Sequence, residues 1–314
     1  MRKLVCISIG FAAGCAVCAY LLSGVWLFWV AFLCLLVGCA GCFLRPVCVK
    51  MIAVAVIGFS VGLAWFQGYQ MLYIMPVESY DGETIFVEVE ACEYSRSTDY
   101  GCTVSGYLNL ESKRYKVNVY LDRDSSLKPG DRISGSFNLR LTTPGAEQEA
   151  ASYQGKGVFL LLYEKEGVAV KTCSEIPAKF FATRLRNGIT ETIKEIFPED
   201  TQGFVRALLL GDSVDLSYEE DTSFKVSGIR HIIAVSGLHV SILFALIYML
   251  AGKNRVLTTV LGIPILILFA AIAGFTPSIN RACVMQVLMI LALLVKKEYD
   301  PPTALSFLCC WPTL

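Results

Sequence analysis

The two histidines of the chain, His231 and His239, stand in one apolar stretch, GIRHIIAVSGLHVSIL (228–243), with Ser236 and Gly237 between them. If the chain is helical from Ile232, Ser236 and His239 lie three residues apart and share a face. A nucleophile beside a base is the pairing an intramembrane serine hydrolase needs. The spacing argues against it, because a histidine one turn along the same helix is poorly placed for attack geometry. The span also offers no carboxylate to orient the imidazole. Metal binding by His231 and His239 needs two further ligands, and a spacing of eight turns the pair about 80° apart around a helix. A third reading is packing alone: Ser227, Gly228, Ser236 and Gly237 let helices approach closely, with His239 hydrogen-bonded inside a bundle.

The fourth reading is a polar path, since ionisable groups in membrane helices face a bundle interior or a cavity. A second polar break, AGFTPSINRACVMQ (273–286), supplies Gly274, Pro277, Ser278, Asn280 and Arg281 between two apolar runs. Pro277 and Gly274 interrupt a helix, which is tolerated at membrane depth where the backbone lines water-filled space. Arg281 brings a cation that either a passing phosphate backbone or a lipid headgroup could use.

The elements that must position these residues are membrane spans. Hydrophobic residues make up 55% of the 314 and charged residues only 17%, with a mean hydropathy of +0.57, which excludes a wholly soluble chain. Residues 1–66 carry four basic side chains and no acidic one, residues 67–230 eighteen basic against twenty-five acidic, and residues 231–314 five against two. Leu4–Leu22, Val25–Phe43 and Met51–Phe66 have about the length needed to cross a bilayer, and Ile232–Ala251, Val256–Phe275 and Ala282–Val295 are three further candidates. The first follows Arg2 and Lys3 as a signal peptide would, but two more apolar runs come at once, so we read an anchor. With the N-terminus inside, Arg2, Lys3, Arg45, Lys50, Lys253, Arg255, Lys296 and Lys297 all fall on the cytoplasmic side, and Arg281 alone does not. Segment 67–230 then lies outside. The last run, from about Thr303, reads as a span cut short.

Within the outer segment the period changes to two. Runs 84–90, 102–110, 114–121, 131–141 and 157–163 read as strands, with 167–171 as a sixth, and LKPGD (127–131) as a tight turn. Five short strands in under 100 residues predict a small OB-like barrel. Such barrels bind single strands with basic grooves and stacking aromatics, and the best candidates are Lys113, Arg114, Tyr115, Lys116 and Tyr120. A solvated strand edge, where lysines discourage aggregation, accounts for them equally. Cys92, Cys102 and Cys173 are the cysteines of this polar region. They permit one disulfide if it lies outside the cell, with the pairing open. No cysteine spacing suggests a metal site, and no cofactor is expected. Beyond the barrel, Phe180, Phe181, Leu185, Ile189, Ile193 and Ile196 mark an amphipathic helix ended by Pro198.

The histidine stretch, ALLLGD some twenty residues before it, GFTPSINRACVMQ after it, and the KPGD and PGAEQEAASYQGKGV (144–158) segments resemble the ComEC family of competence proteins. The resemblance implies a polytopic α-helical membrane protein with an inserted extracytoplasmic all-β OB-like domain. Three N-terminal helices (1–66) would precede the β domain (67–175), interfacial helices (176–230) and the start of a channel domain (231–314). It implies import of one DNA strand across the cell membrane in natural transformation. His231, Ser236, Gly237, His239, Gly274, Pro277 and Arg281 would then belong to the channel. Partners would be single-stranded DNA, the bilayer and other competence proteins, with a homo-oligomer as a further option. Many members continue into more helices and a metallo-β-lactamase-like nuclease domain, whose metal motifs are not found here, so no enzyme activity is expected. A serine hydrolase, and a transporter or scaffold that handles no nucleic acid, are the alternatives.

Overall fold

The computed structural model describes residues 3–20, 24–44, 46–98, 101–110, 113–142, 153, 156–211, 218–228, 237–295 and 300–310. The chain divides into two compact units. One comprises Met1–Ser79 with Val295–Thr313; the other comprises Tyr80–Leu294 with Leu314. Among the described residues, four stretches are long and apolar enough to cross a bilayer: Lys3–Tyr20, Val47–Glu78, Arg255–Ile272 and Pro277–Val295. Leu27–Cys42 and Gly237–Leu250 are apolar but shorter.

The first unit is built from α1 (Lys3–Tyr20), α2 (Leu27–Cys42) and α3 (Val47–Tyr69). The last runs through a π turn (Gln70–Ile74) into the short α4 (Met75–Glu78). Paired glycines set the packing of α1 on α3. A Cβ on Gly10 would lie 2.0 Å from the Ala55 carbonyl oxygen, and one on Gly14 2.3 Å from that of Phe59. The reverse holds for Gly58 against Ile7 (2.1 Å) and Gly62 against Phe11 (2.3 Å). Each helix thus presents small residues four apart to the other's backbone, the close-approach geometry of helices in lipid. Polar side chains join the remaining helices: Ser60 Oγ donates to the Ala31 carbonyl at 2.5 Å, linking α3 to α2. Ser8 Oγ donates at 2.7 Å to the carbonyl of Ser306 in the final helix, Pro301–Cys310.

The second unit begins with six strands: β1 (Thr84–Ala91), β2 (Arg96–Thr98), β3 (Gly101–Leu110), β4 (Lys113–Leu121), β5 (Arg132–Leu141) and β6 (Val158–Lys171). β1 pairs with both β5 and β3, so the order β1-β5-β6-β4-β3 closes on itself as a five-stranded barrel, with β2 added beside β3. All barrel pairings are antiparallel except β4 with β6. Alternation fills the interior with Val89, Val104, Leu108, Val117, Val119, Ile133, Phe137, Leu139, Leu160 and Leu162, each at most 1% exposed. The fifth and sixth expected strands form one element. β6 continues for 14 residues, absorbing Gly167 through irregular register against β5. The KPGD turn forms as expected, with Gly130 at φ 102. Its Asp131 is buried, and its carboxylate accepts from Lys128 N and Cys173 N, both at 2.7 Å.

Helices complete this unit: α5 (Phe181–Ile196), α6 (Glu199–Leu210), α7 (Tyr218–Val226), α8 (Gly237–Leu250), α9 (Arg255–Ile272) and α10 (Pro277–Val295). The final helix of the chain, in the first unit, is α11. Gly211, in the ALLLGD motif, ends α6 with φ 71 and donates its N–H to Ala207 O, a left-handed cap that glycine adopts without strain. Helices α8, α9 and α10 share a core of Val240, Phe244, Leu266, Ala270, Ile279, Cys283 and Ile290. Their other faces expose Leu238, Ile242, Val260 and Ile267. A helix apolar all round is suited to lipid.

Candidate functional site

On the barrel, cross-strand register assembles what the linear sequence scatters. Thr103 faces Tyr120, Tyr120 faces Tyr163, and Tyr163 faces Asn138, so one row crosses β3, β4, β6 and β5. The rings of Tyr120 and Tyr163 stack with centroids 4.9 Å apart and planes within 10°. The Tyr120 hydroxyl shares a 3.2 Å hydrogen bond with that of Tyr153. The Arg140 guanidinium lies 5.9 Å from the Tyr163 ring centre. With Asn138 and Lys165, these two residues line a surface cavity of about 380 Å³. The half-buried Lys116 projects from β4 on the same outward side as Tyr120.

Of the sequence candidates, Lys116 and Tyr120 reach this surface. Lys113 is exposed at the start of β4. Arg114 is engaged elsewhere: it pairs with Glu90 at 3.0 Å and sits 3.9 Å over the Tyr107 ring. Glu90 also takes Lys179 at 2.6 Å, and Arg132 pairs with Glu88 at 3.1 Å, so this second face balances its own charges. Tyr115 faces inward, 5% exposed, because the same alternation that buries Val117 and Val119 buries it. It is a core residue and has no ring face to offer a base. Tyr107, Arg140, Tyr163 and Lys165 were not singled out from the sequence. They lie on neighbouring strands, and only alternation combined with pairing register would have located them.

The helical candidates lie around the α9–α10 connection. Gly274 (φ 79) and Phe275 (φ 51) end α9 in a left-handed turn, with Gly274 N–H to Ala271 O and Phe275 N–H to Ala270 O. This double bond pattern satisfies carbonyls that the helix would leave open. The Asn280 amide donates to Phe275 O at 2.9 Å and Pro277 opens α10. Proline suits that first position, where its missing N–H costs nothing. The polar break is therefore shorter than expected. It covers 273–276, and Ser278 to Gln286 are helical. Arg281 is exposed on α10 and His239 is half-buried in the first turns of α8. A Cβ on Gly237 would lie 3.8 Å from that of Ala282, so the start of α8 runs beside α10. His231 and Ser236 lie outside the described residues, and with them the geometry of any serine–histidine or two-histidine site. Most of PGAEQEAASYQGKGV lies outside them too.

The three barrel-region cysteines are free thiols. Cys92 N–H bonds to Ser105 O at 2.9 Å, three residues along β3 from Cys102. At the rise of a strand that is roughly 10 Å, beyond disulfide reach. Burial pushes the Cys92 thiol up from 9.0 to about 12, and Glu93 adds to the shift. We expect a maleimide at pH 8 to modify the exposed Cys173 and spare Cys92 until the barrel unfolds, as read by peptide mass mapping. Because the folded value lies above the unfolded one, Cys92 favours the folded barrel below pH 9. That contribution is lost as pH rises toward 12.

Residues 208–311 match the family model described as Competence protein. The chain is also similar to ComE operon protein 3 of Bacillus subtilis (strain 168), at 33% identity over 141 residues. That stretch is 44% of this chain and 18% of the relative, so the match spans under a fifth of the relative's length. No solved structure matches the chain. The family match runs from the last turn of α6 through α11 and holds the histidine stretch and the α9–α10 turn. On these residues the chain is similar to competence proteins, and four of its described helical stretches are long and apolar enough to cross a membrane.

Proposed function

We propose that this chain acts in DNA uptake by holding a single strand on the outer face of its barrel and passing it to a path through its helical part. The observation that carries this reading is the row across four strands, in which the stacked Tyr120–Tyr163 pair adjoins Arg140 and Lys165 and shares its outward side of β4 with Lys116. Aromatic faces take bases of any sequence, while adjacent cations neutralise phosphates. An acidic domain can do this because its carboxylates Glu88 and Glu90 are occupied on the other face.

The barrel is read as an OB barrel. It is closed and five-stranded, and the second and third of its strands, β3 and β4, form the face that binds oligonucleotides in that fold. The basic residues flanking the spans support a cytoplasmic N-terminus and an extracytoplasmic barrel in the cell membrane. Gly237, His239, Gly274, Pro277 and Arg281, with His231 and Ser236, are assigned to the path, and no catalytic step is assigned to this chain. Other competence proteins, and further copies of the chain, are the proposed partners.

The test is binding of a fluorescein-labelled oligothymidine to the full chain in phosphatidylcholine nanodiscs. Anisotropy should show binding at low salt that weakens steadily with added salt and exceeds binding to a duplex of equal length. A chain that ignores the oligonucleotide at low salt refutes the proposal.

A further inference from the structure

We infer that a polar cavity beneath the barrel is a second strand site, one that grips a phosphodiester after the bases have left the tyrosine row. This rests on the single-stranded substrate proposed above. The cavity, about 330 Å³, is lined by the segment after β1, by α5 and α6, and by the end of α9. Four cations from three elements face it: Arg96 of β2, Arg186 and Lys194 of α5, and Arg206 of α6. Two carboxylates are present, Glu93 and Glu191, and Glu191 is held by Lys194 at 3.0 Å. A net positive charge set in a concave wall concentrates its field on whatever anion enters. Three of the cations are arginines, whose planar forks fit phosphate oxygens in pairs.

The place of the cavity in the fold supports a strand over a lipid headgroup. Arg186 donates to the Ile272 carbonyl at 3.4 Å, so it lies against the terminal turn of α9. Gly274 leaves it room, since a Cβ there would stand 3.1 Å from Arg186 Nη1. The cationic wall therefore borders the α9–α10 turn that carries Gly274, one of the path residues. A lipid would need an apolar slot for its acyl chains beside the phosphate, yet apart from Ala271 and Gly274 the lining is polar. The volume falls at the lower end of the about 300–1,000 Å³ that small ligands occupy, room for a nucleotide and not for a duplex.

Arg96→Gln and Lys194→Gln test the site without touching Arg186, which abuts α9. In phosphatidylcholine nanodiscs the double variant of the full chain should bind oligothymidine about tenfold more weakly than the native chain. Its slope of log affinity against log salt should be shallower by about 1.4, from about 0.7 for each lost phosphate contact on a single strand. Unchanged affinity and slope overturn the inference. If Tyr120→Ala still weakens binding in that case, the barrel proposal stands without it; if the native chain does not bind, both fall. A parallel titration with short-chain phosphatidylglycerol settles the ligand. Loss of lipid binding in the double variant, with DNA binding retained, makes the cavity a headgroup site and overturns the inference.

Discussion

Leucine at Gly58 drives α1 and α3 apart, and the full chain in detergent then aggregates well below the temperature at which the native chain does. The added Cβ alone would stand 2.1 Å from the Ile7 carbonyl oxygen and 2.9 Å from Ile7 Cα. These are backbone atoms within a helix and cannot rotate aside as a side chain would. Forcing extra carbons into a packed core costs about 1–3 kcal/mol when side chains can adjust, and here the whole interface must separate. Three further glycines depend on the same approach, and Ser60, which bonds to Ala31, lies between Gly58 and Gly62 on α3. Gly68 provides the control. It is on the same helix, with nothing within 4 Å of where its Cβ would be, so Gly68→Leu should melt like the native chain. Fluorescence-detected size-exclusion after a heating series reads both; equal melting of Gly58→Leu and native protein would show that the glycine pairing does not hold the unit together.

Alanine at Tyr120 should reduce affinity for single-stranded DNA at least tenfold. Base–aromatic stacking is worth about 1–3 kcal/mol per base, and Tyr120 also positions Tyr163, its partner in the stacked pair. Tyr120→Phe separates stacking from the hydroxyl, which shares a hydrogen bond with that of Tyr153. It should retain most of the affinity. Tyr115→Phe tests placement in the opposite sense: its ring is in the core, so binding should be unmoved. Equal binding by Tyr120→Ala and native chain, measured by anisotropy at two salt concentrations, would remove the tyrosine row from the DNA surface.

The elements were largely legible in the sequence and their partnerships were not. Apolar runs placed α1, α2, α3 and α9 to within a few residues, because lipid demands length and hydrophobicity and little else. Alternation located β1, β3, β4 and β5 for the same reason in the barrel. β6 read as two strands because Gly167 resembles a turn; its pairing with β5 carries the chain through. The glycines of α1 and α3 are each ordinary in their own helix, and become an interface only when the helices are laid together. The site followed the same rule. A contiguous basic and aromatic run drew attention to β4, yet one of its five residues is core and another is tied to a carboxylate. Tyr163, forty-three residues after Tyr120, completes the stack through a parallel pairing that no local pattern announces.

The long strand β6 has a mechanical consequence. Residues 160–163 are paired on both sides, with β4 and β5, while 164–171, more than half of the strand, pair with β5 alone. The antiparallel ladder runs along the strand, so tension applied beyond Lys171, toward α5, loads those bonds in shear. Bonds loaded in shear resist together, whereas a peeled edge would yield one at a time. The Asp131 carboxylate, bonded to Cys173 N at 2.7 Å, fastens the end where such a pull would arrive. The barrel can therefore stay closed while the helices that follow it are under load, as a fixed post against which a polymer could be drawn.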